Sequence, residues 1–214
     1  MPRIIETVVY TVDELADATK EPARAWYRET GLHDEWTDFV CEDFRAICRI
    51  LGVELATIPV KLMGGGTRDA PQICFRGFHS QGDGASFAGS YRYARGAARG
   101  IRTHAPEDKE LYRIADELQQ AQRRNFYRLT SDIRQRGNYS HEYSMAIEVE
   151  RHSPTWQPGT DGAEDAVIEA LGDLARWLYR QLCSEFEHLT LDEVIDATIA
   201  ANELTFTAEG RRFG

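Results

Sequence analysis

Nothing in these 214 residues looks like a membrane span, because no apolar run approaches the roughly 18 residues such a helix needs. A membrane partner is therefore not expected. The opening residues, Met1-Pro2-Arg3-Ile4-Ile5-Glu6, have no apolar stretch of the kind found in a secretory leader, so a cytoplasmic location is expected. Cysteine is scarce: Cys41, Cys48, Cys74 and Cys183 are the four present, and none forms a C-x-x-C pair. No histidine stands at a spacing that would complete a metal site, so the expectation is buried free thiols, no metal and no cofactor. Catalytic signatures are missing as well. There is no G-x-S-x-G, H-E-x-x-H, G-x-G-x-x-G or phosphate-binding Gly-Lys-Ser/Thr loop. Ser80 or Ser86 as a nucleophile would lack an identifiable base. No catalytic residue is assigned, which weighs against an enzyme.

What is present is a chain with enough apolar residues for a core (42%) and an ordinary charged fraction (28%), fitting one domain over 1–214. The formal charge is −10, but it is uneven. Residues 1–90 carry net −5, residues 91–136 net +5 and residues 137–214 net −10. A basic middle between acidic flanks predicts faces of opposite sign. An acidic protein is a poor general nucleic-acid binder, since phosphate neutralisation supplies most nonspecific affinity. A local basic face, or a basic protein partner, is still compatible with that balance.

Residue patterns place the elements. Ile4–Tyr10 reads as a strand. Thr11 and Glu14 form a capping-box pair opening a helix, with Pro22 breaking it and starting a second short helix that Gly31 ends. Asp34 caps the next helix, in which Trp36, Phe39, Val40, Phe44, Ile47, Cys48 and Leu51 recur at helical spacing up to Gly52. Val53–Met63 and Pro71–His79 read as extended, joined around Gly64-Gly65-Gly66 as a loose hairpin. Tyr91–His104 reads as a helix, and Pro106-Glu107-Asp108 opens another to about Arg124. Alternation over 127–134 and 143–150 marks the clearest hairpin. Asp161–His188 is a long amphipathic helix with Val167, Leu171, Leu174, Leu178, Leu182, Phe186 and Leu189 on one stripe, long enough to serve a core or a homodimer. Thr190 and Glu193 cap a helix to Ala201, and Leu204–Thr207 closes as a strand. The fold class is α+β: an antiparallel or mixed sheet flanked by helices.

Three places invite a functional reading. The turn Ser80-Gln81-Gly82-Asp83-Gly84 is either a ligand loop, with Ser80, Gln81 and Asp83 as contacts, or an Asx-type turn in which Asp83 caps its own loop. Arg92, Arg95, Arg99 and Arg102, spaced 3, 4 and 3, would form one basic helical stripe. It suits an anionic partner, with Tyr91 beside it to stack on bases, or the acidic helices of the same molecule. His141 shares a sheet face with Tyr143, and meets Asp83 only if the glycine-rich loop folds over this hairpin. Otherwise it is a satisfied structural histidine.

The phrase Phe75-Arg76-Gly77-Phe78-His79-Ser80-Gln81-Gly82-Asp83-Gly84-Ala85-Ser86-Phe87 resembles a family of phage and prophage proteins. So do Gln122-Arg123-Arg124-Asn125-Phe126-Tyr127, Tyr139-Ser140-His141-Glu142-Tyr143 and Ala201-Asn202-Glu203. Some members of that family are labelled antitoxins of a toxin–antitoxin stability system. Ser86 stands where the family pattern carries cysteine, which argues against a thiol nucleophile there. The resemblance implies a mobile-element protein in the cytoplasm of a bacterial host. On that reading it is a non-catalytic interaction protein that binds and modulates a bacterial defence or toxin component, as an anti-CRISPR-like inhibitor or an antitoxin. Its partner would be a bacterial host protein or complex. The alternatives are a nucleic-acid-binding accessory protein using the Arg92–Arg102 stripe, and an enzyme built on the Asp83 loop.

Overall fold

The computed structural model describes residues 6–32, 34–154 and 158–213. The side chain of Asp34 and the Ile4–Ile5 start of the expected first strand lie outside the described residues. The chain divides into two compact units, residues 1–38 with 183–214, and residues 39–182. Together they give an α+β protein in which, among the described residues, every strand pairing is antiparallel.

In the first unit, α1 (Asp17–Thr30) and α6 (Asp192–Ala201) enclose a small core of Val12, Leu15, Ala23, Ile195, Ile199 and Phe206. A short hairpin of β9 (Thr205–Phe206) and β10 (Arg212–Phe213) closes it. The Arg24 guanidinium spans Asp196 and Asp192, at 2.5 and 2.8 Å. Four sequence expectations change here. Of the strand expected at Ile4–Tyr10, only Tyr10 pairs among the described residues, as a single bridge to Phe206. The Glu14 carboxylate does accept from the Thr11 backbone N–H and hydroxyl, at 2.9 and 3.0 Å, but it closes only a 3₁₀ turn over Val12–Glu14. Pro22 lies inside α1 without ending it. A proline removes one N–H bond, and the carbonyl it orphans, on exposed Ala18, can be hydrated. Thr190 also differs: its hydroxyl donates back to Phe186 O and Glu187 O, so it closes the preceding helix and does not cap α6.

In the second unit, β1 (Val53–Leu55), β6 (Gly89–Arg92), β7 (Leu129–Gln135) and β8 (Met145–Arg151) form a sheet in the order β1-β6-β7-β8. Its inner face, with Val53, Tyr91, Leu129, Ser131, Ile133 and Met145, is buried. Helices α2 (Asp38–Leu51), α4 (Lys109–Arg124) and the long α5 (Ala163–Leu189) contribute much of the rest of the core. Phe44 packs on Phe87 at 5.4 Å and stacks on Trp177 at 6.5 Å. Val167, Leu171, Leu174, Leu178 and Leu182 of the α5 stripe are fully buried within one chain. Phe39, read as a core position of α2, is instead 85% exposed. Cys48 is buried, which pushes its thiol pKa well up, while Cys41 is half-buried; neither is joined in a disulfide.

Three pairings radiate from one point. β1 pairs β6, β2 (Thr57–Lys61) pairs β3 (Thr67–Pro71), and β4 (Ile73–Arg76) pairs β5 (Gly84–Phe87). The single residues between them, Ala56, Gln72 and Ala88, close a triangle of backbone bonds. Ala56 N–H donates to Ala88 O (2.8 Å), Ala88 N–H to Gln72 O (3.1 Å) and Gln72 N–H to Ala56 O (2.7 Å). Each chain passes from one ladder to the next with no backbone group of these three residues left unpaired in one direction of the ring. The expected hairpin of 53–63 with 71–79 is thereby redistributed: only 57–61 and 67–71 pair with each other, around the three glycines.

Candidate functional site

The β4–β5 hairpin carries the glycine-rich turn, and the turn folds over the segment that precedes β8. Ser140 N–H donates to Gly82 O at 3.1 Å, and Arg76 Nη1 to Asn138 O at 3.2 Å. The approach is too close for side chains. A Cβ on Gly82 (φ +93°) would lie 2.0 Å from the Tyr139 ring, and one on Gly84 (φ +155°) 2.6 Å from Ser140 O. Glycine is required at both places by space and by backbone conformation. The structure therefore brings His141 to the Asp83 loop, the arrangement that the sequence made conditional.

Asp83 is committed to its own loop. One oxygen, Oδ2, accepts the backbone N–H groups of His79 (2.9 Å) and Ser80 (2.6 Å), and Asp83 N–H returns to Ser80 O (3.0 Å). Ser80 and Gln81 sit exposed at the tip. His141 stands between two aromatic rings, near-parallel to Tyr139 and edge-on to Tyr143, each 5.8 Å away. Its Nδ1 is buried and has no hydrogen-bond partner among the described residues. The loop around it is fixed by Gln135, whose Nε2 donates to Tyr139 O (2.5 Å) and Ser144 Oγ (2.8 Å), and by Ser144 Oγ donating to His141 O (2.6 Å). Next in the chain, Glu142 meets Arg176 of α5 at 3.4 Å. Arg176 also pairs with buried Asp173, which meets Arg113 of α4 at 2.5 Å. The hydrogen bond to Asp173 holds the Arg113 guanidinium above its ordinary pKa, against desolvation. No local pattern marked this network, because its members are contributed by three separated segments.

The arginine stripe does not exist as a stripe. Residues 89–92 form the strand β6 between β1 and β7, and α3 (Ala97–His104) starts only after Gly96, at φ +82°. Arg92 lies on the sheet's outer face, 3.4 Å from Glu54. Arg95 is in the turn. Arg99 and Arg102 alone share the helix, and Arg102 is bound to Asp116 (2.6 Å) and lies over the Tyr112 ring at 5.0 Å. Tyr91 is only 2% exposed, so it offers no surface for stacking. Burial pushes its phenol up to about 12, while the Gln122 side chain donating to its hydroxyl pulls the other way. A four-residue strand is too short to declare an alternation, so the basic spacing passed for helical.

Two features were not singled out from sequence as sites. The first is the arm formed by β2 and β3, which is exposed along nearly its whole length. Ile58, Val60 and Leu62 alternate along one face of it, all three exposed, and Met63 is fully exposed at the tip. The alternation of Ile58, Val60 and Leu62 ahead of three glycines was the available signal. The second is the turn between α4 and β7, around Phe126 and Tyr127. On the outer face of the sheet, a groove of about 680 Å³ runs from the arm's root at Thr57 and Gln72 to Asp132 and Arg134. Among the described residues, no cluster of three or more His, Cys, Asp or Glu side chains is placed to hold a metal ion. No helix among them is long and apolar enough to cross a membrane.

Comparison with curated proteins and with solved structures returned no match. A family model does match, over residues 36–192, which span all of the second unit and both sides of the glycine-rich site. By that match over most of its length, the chain belongs to the family described as Domain of unknown function (DUF8835).

Proposed function

We propose that the protein is a non-catalytic interaction protein of a phage or prophage, which docks its β2–β3 arm on a bacterial host protein of a defence or toxin system. The arm carries this reading. A two-stranded ribbon with no layer packed on it is marginal in water. This one nevertheless leaves Ile58, Val60 and Leu62 39–47% exposed and Met63 fully so, apolar surface that stays in water in the free protein. Its edges are poor templates for strand addition, because Pro59 and Pro71 remove N–H donors from both strands. Contact through the apolar face, into an apolar groove of the partner, fits better, and Met63 at the tip is a side chain that adapts to irregular surfaces. The motif resemblance to phage and prophage proteins supports the choice of partner class.

The test is capture from bacterial lysate by wild type and by an Ile58→Glu/Leu62→Glu variant. One stoichiometric host protein is expected with wild type and lost with the variant, at unchanged melting temperature because both positions are exposed. Equal capture by both proteins would remove the arm from the interface.

A further inference from the structure

The turn between α4 and β7 is held in a conformation that its own residues disfavour. Phe126 and Tyr127 both lie in the left-handed region, at φ +56° and +61°. Consecutive large aromatic residues are seldom found there, and glycine would make the same turn without strain. Two fully buried amides impose it. Gln122 acts as a strand partner, its Nε2 donating to Leu129 O (2.7 Å) and its Oε1 accepting from Leu129 N–H (3.1 Å). Asn125 donates to Ala121 O (2.9 Å) and exchanges bonds with Thr160. Tyr127 N–H donates to Gln122 O at 2.7 Å, completing the clamp.

What the clamp presents is not core. Phe126 is 72% and Tyr127 46% exposed. Tyr127 lies against Tyr93, 4.4 Å between centroids, and the Arg151 guanidinium lies over Phe126 at 5.5 Å while donating to Pro158 O. In the same turn Arg123, Arg124 and Arg128 are exposed, and none has an acidic partner among the described residues. Arg24, Arg102, Arg113, Arg134 and Arg176 are paired with carboxylates, whereas these three, like Arg95 and Arg99, have no such pair among the described residues. The C-terminal end of α4 attracts cations through its dipole, which accounts for Arg123 and Arg124 but not for Arg128, which lies beyond it.

We infer that this turn is a binding site for single-stranded nucleic acid, separate from the arm. Bases stack on Phe126 and on the Tyr127–Tyr93 pair, and the phosphates meet Arg123, Arg124 and Arg128. Stacking platforms interleaved with unpaired cations are the chemistry of such sites, and a duplex, whose bases are already stacked, cannot use them. The rest of the molecule is acidic, so binding is confined to this patch and is steeply weakened by salt.

The experiment is fluorescence anisotropy with labelled 12-nucleotide RNA, the matching single-stranded DNA and the DNA duplex, across a salt series. Wild type is expected to bind at least one single strand more tightly than the duplex. A Phe126→Gly/Tyr127→Gly variant removes the rings while relieving the backbone, so it should keep its melting temperature and lose about 5- to 150-fold in affinity. An Arg123→Gln/Arg124→Gln/Arg128→Gln variant should reduce the slope of log K against log salt by about 2. If the glycine variant proves unstable, the arginine variant, altered only at exposed positions, decides. No single-strand binding at low salt, equal binding of the duplex, or affinities and slopes unchanged in the variants would each overturn the assignment.

Discussion

Asn125 and Thr160 are joined by two reciprocal hydrogen bonds, each 2.9 Å long, the Asn125 amide donating to Thr160 Oγ1 and Thr160 N–H donating to Asn125 Oδ1. They tie the turn after α4 to the segment that leads into α5. Because Asn125 is fully buried, its replacement by alanine strands the Thr160 N–H and the Ala121 carbonyl at once. Asn125→Ala is expected to cost about 1–3 kcal/mol. Thr160→Val should cost less, and the double change should be less than additive. Urea denaturation measures all three, and a full additive loss would show that the two side chains do not act together.

Asp83 holds the glycine-rich turn by its bonds to His79 and Ser80. Loss of a carboxylate oxygen that accepts two backbone N–H groups is expected to cost about 1 kcal/mol in Asp83→Ala, the scale of a lost hydrogen bond at an exposed turn. Asp83→Asn, which keeps an acceptor oxygen, should cost less. Both are read from thermal or chemical unfolding. An alanine variant as stable as wild type would return Asp83 to the ligand reading.

Leu178 is fully buried at the middle of α5. Leu178→Ala is expected to destabilise by about 2–5 kcal/mol, the range of a leucine truncation that leaves a cavity. Gel filtration should show an unchanged oligomeric state, since the stripe is filled within one chain. A stability change under about 1 kcal/mol would contradict the packing.

The hydrogen bond from Arg24 holds the Asp196 carboxyl below its ordinary value of 3.8, against desolvation. A depressed folded-state pKa means stability that is complete above the unfolded value and is lost as pH falls through the folded one. The stability difference between wild type and Asp196→Asn should therefore be constant from about pH 5 upward and shrink as pH falls below 3.8. A difference that persists undiminished down to pH 2 would mean that the pair contributes by shape and not by charge.

Much of the helical frame was legible without coordinates. The α5 stripe repeats over a 27-residue helix, and the helix expected to open at Pro106-Glu107-Asp108 does so, with Asp108 not in its first turn but at its cap, accepting from Glu110 N–H and Leu111 N–H. In the β7–β8 hairpin, β7 alternates in burial along its length and β8 does so from Ile147 onward. In these elements the signal is periodic or local, and burial of one face against any core satisfies it. Tertiary structure decided the rest. Residues 89–92 are a strand because β1 and β7 stand on either side to pair with them, and four residues carry no period of their own. That pairing buries Tyr91, turns Arg92 outward and dissolves the arginine stripe. The triangle of Ala56, Gln72 and Ala88 sets which strands pair, and it is made of backbone bonds to which side chains give no clue. The exposure of Phe126 and Tyr127 follows from Gln122 and Asn125, whose partners Leu129 and Thr160 stand 7 and 35 residues further along the chain. Local sequence determines an element's periodicity, whereas a buried amide's role depends on partners brought together only by folding.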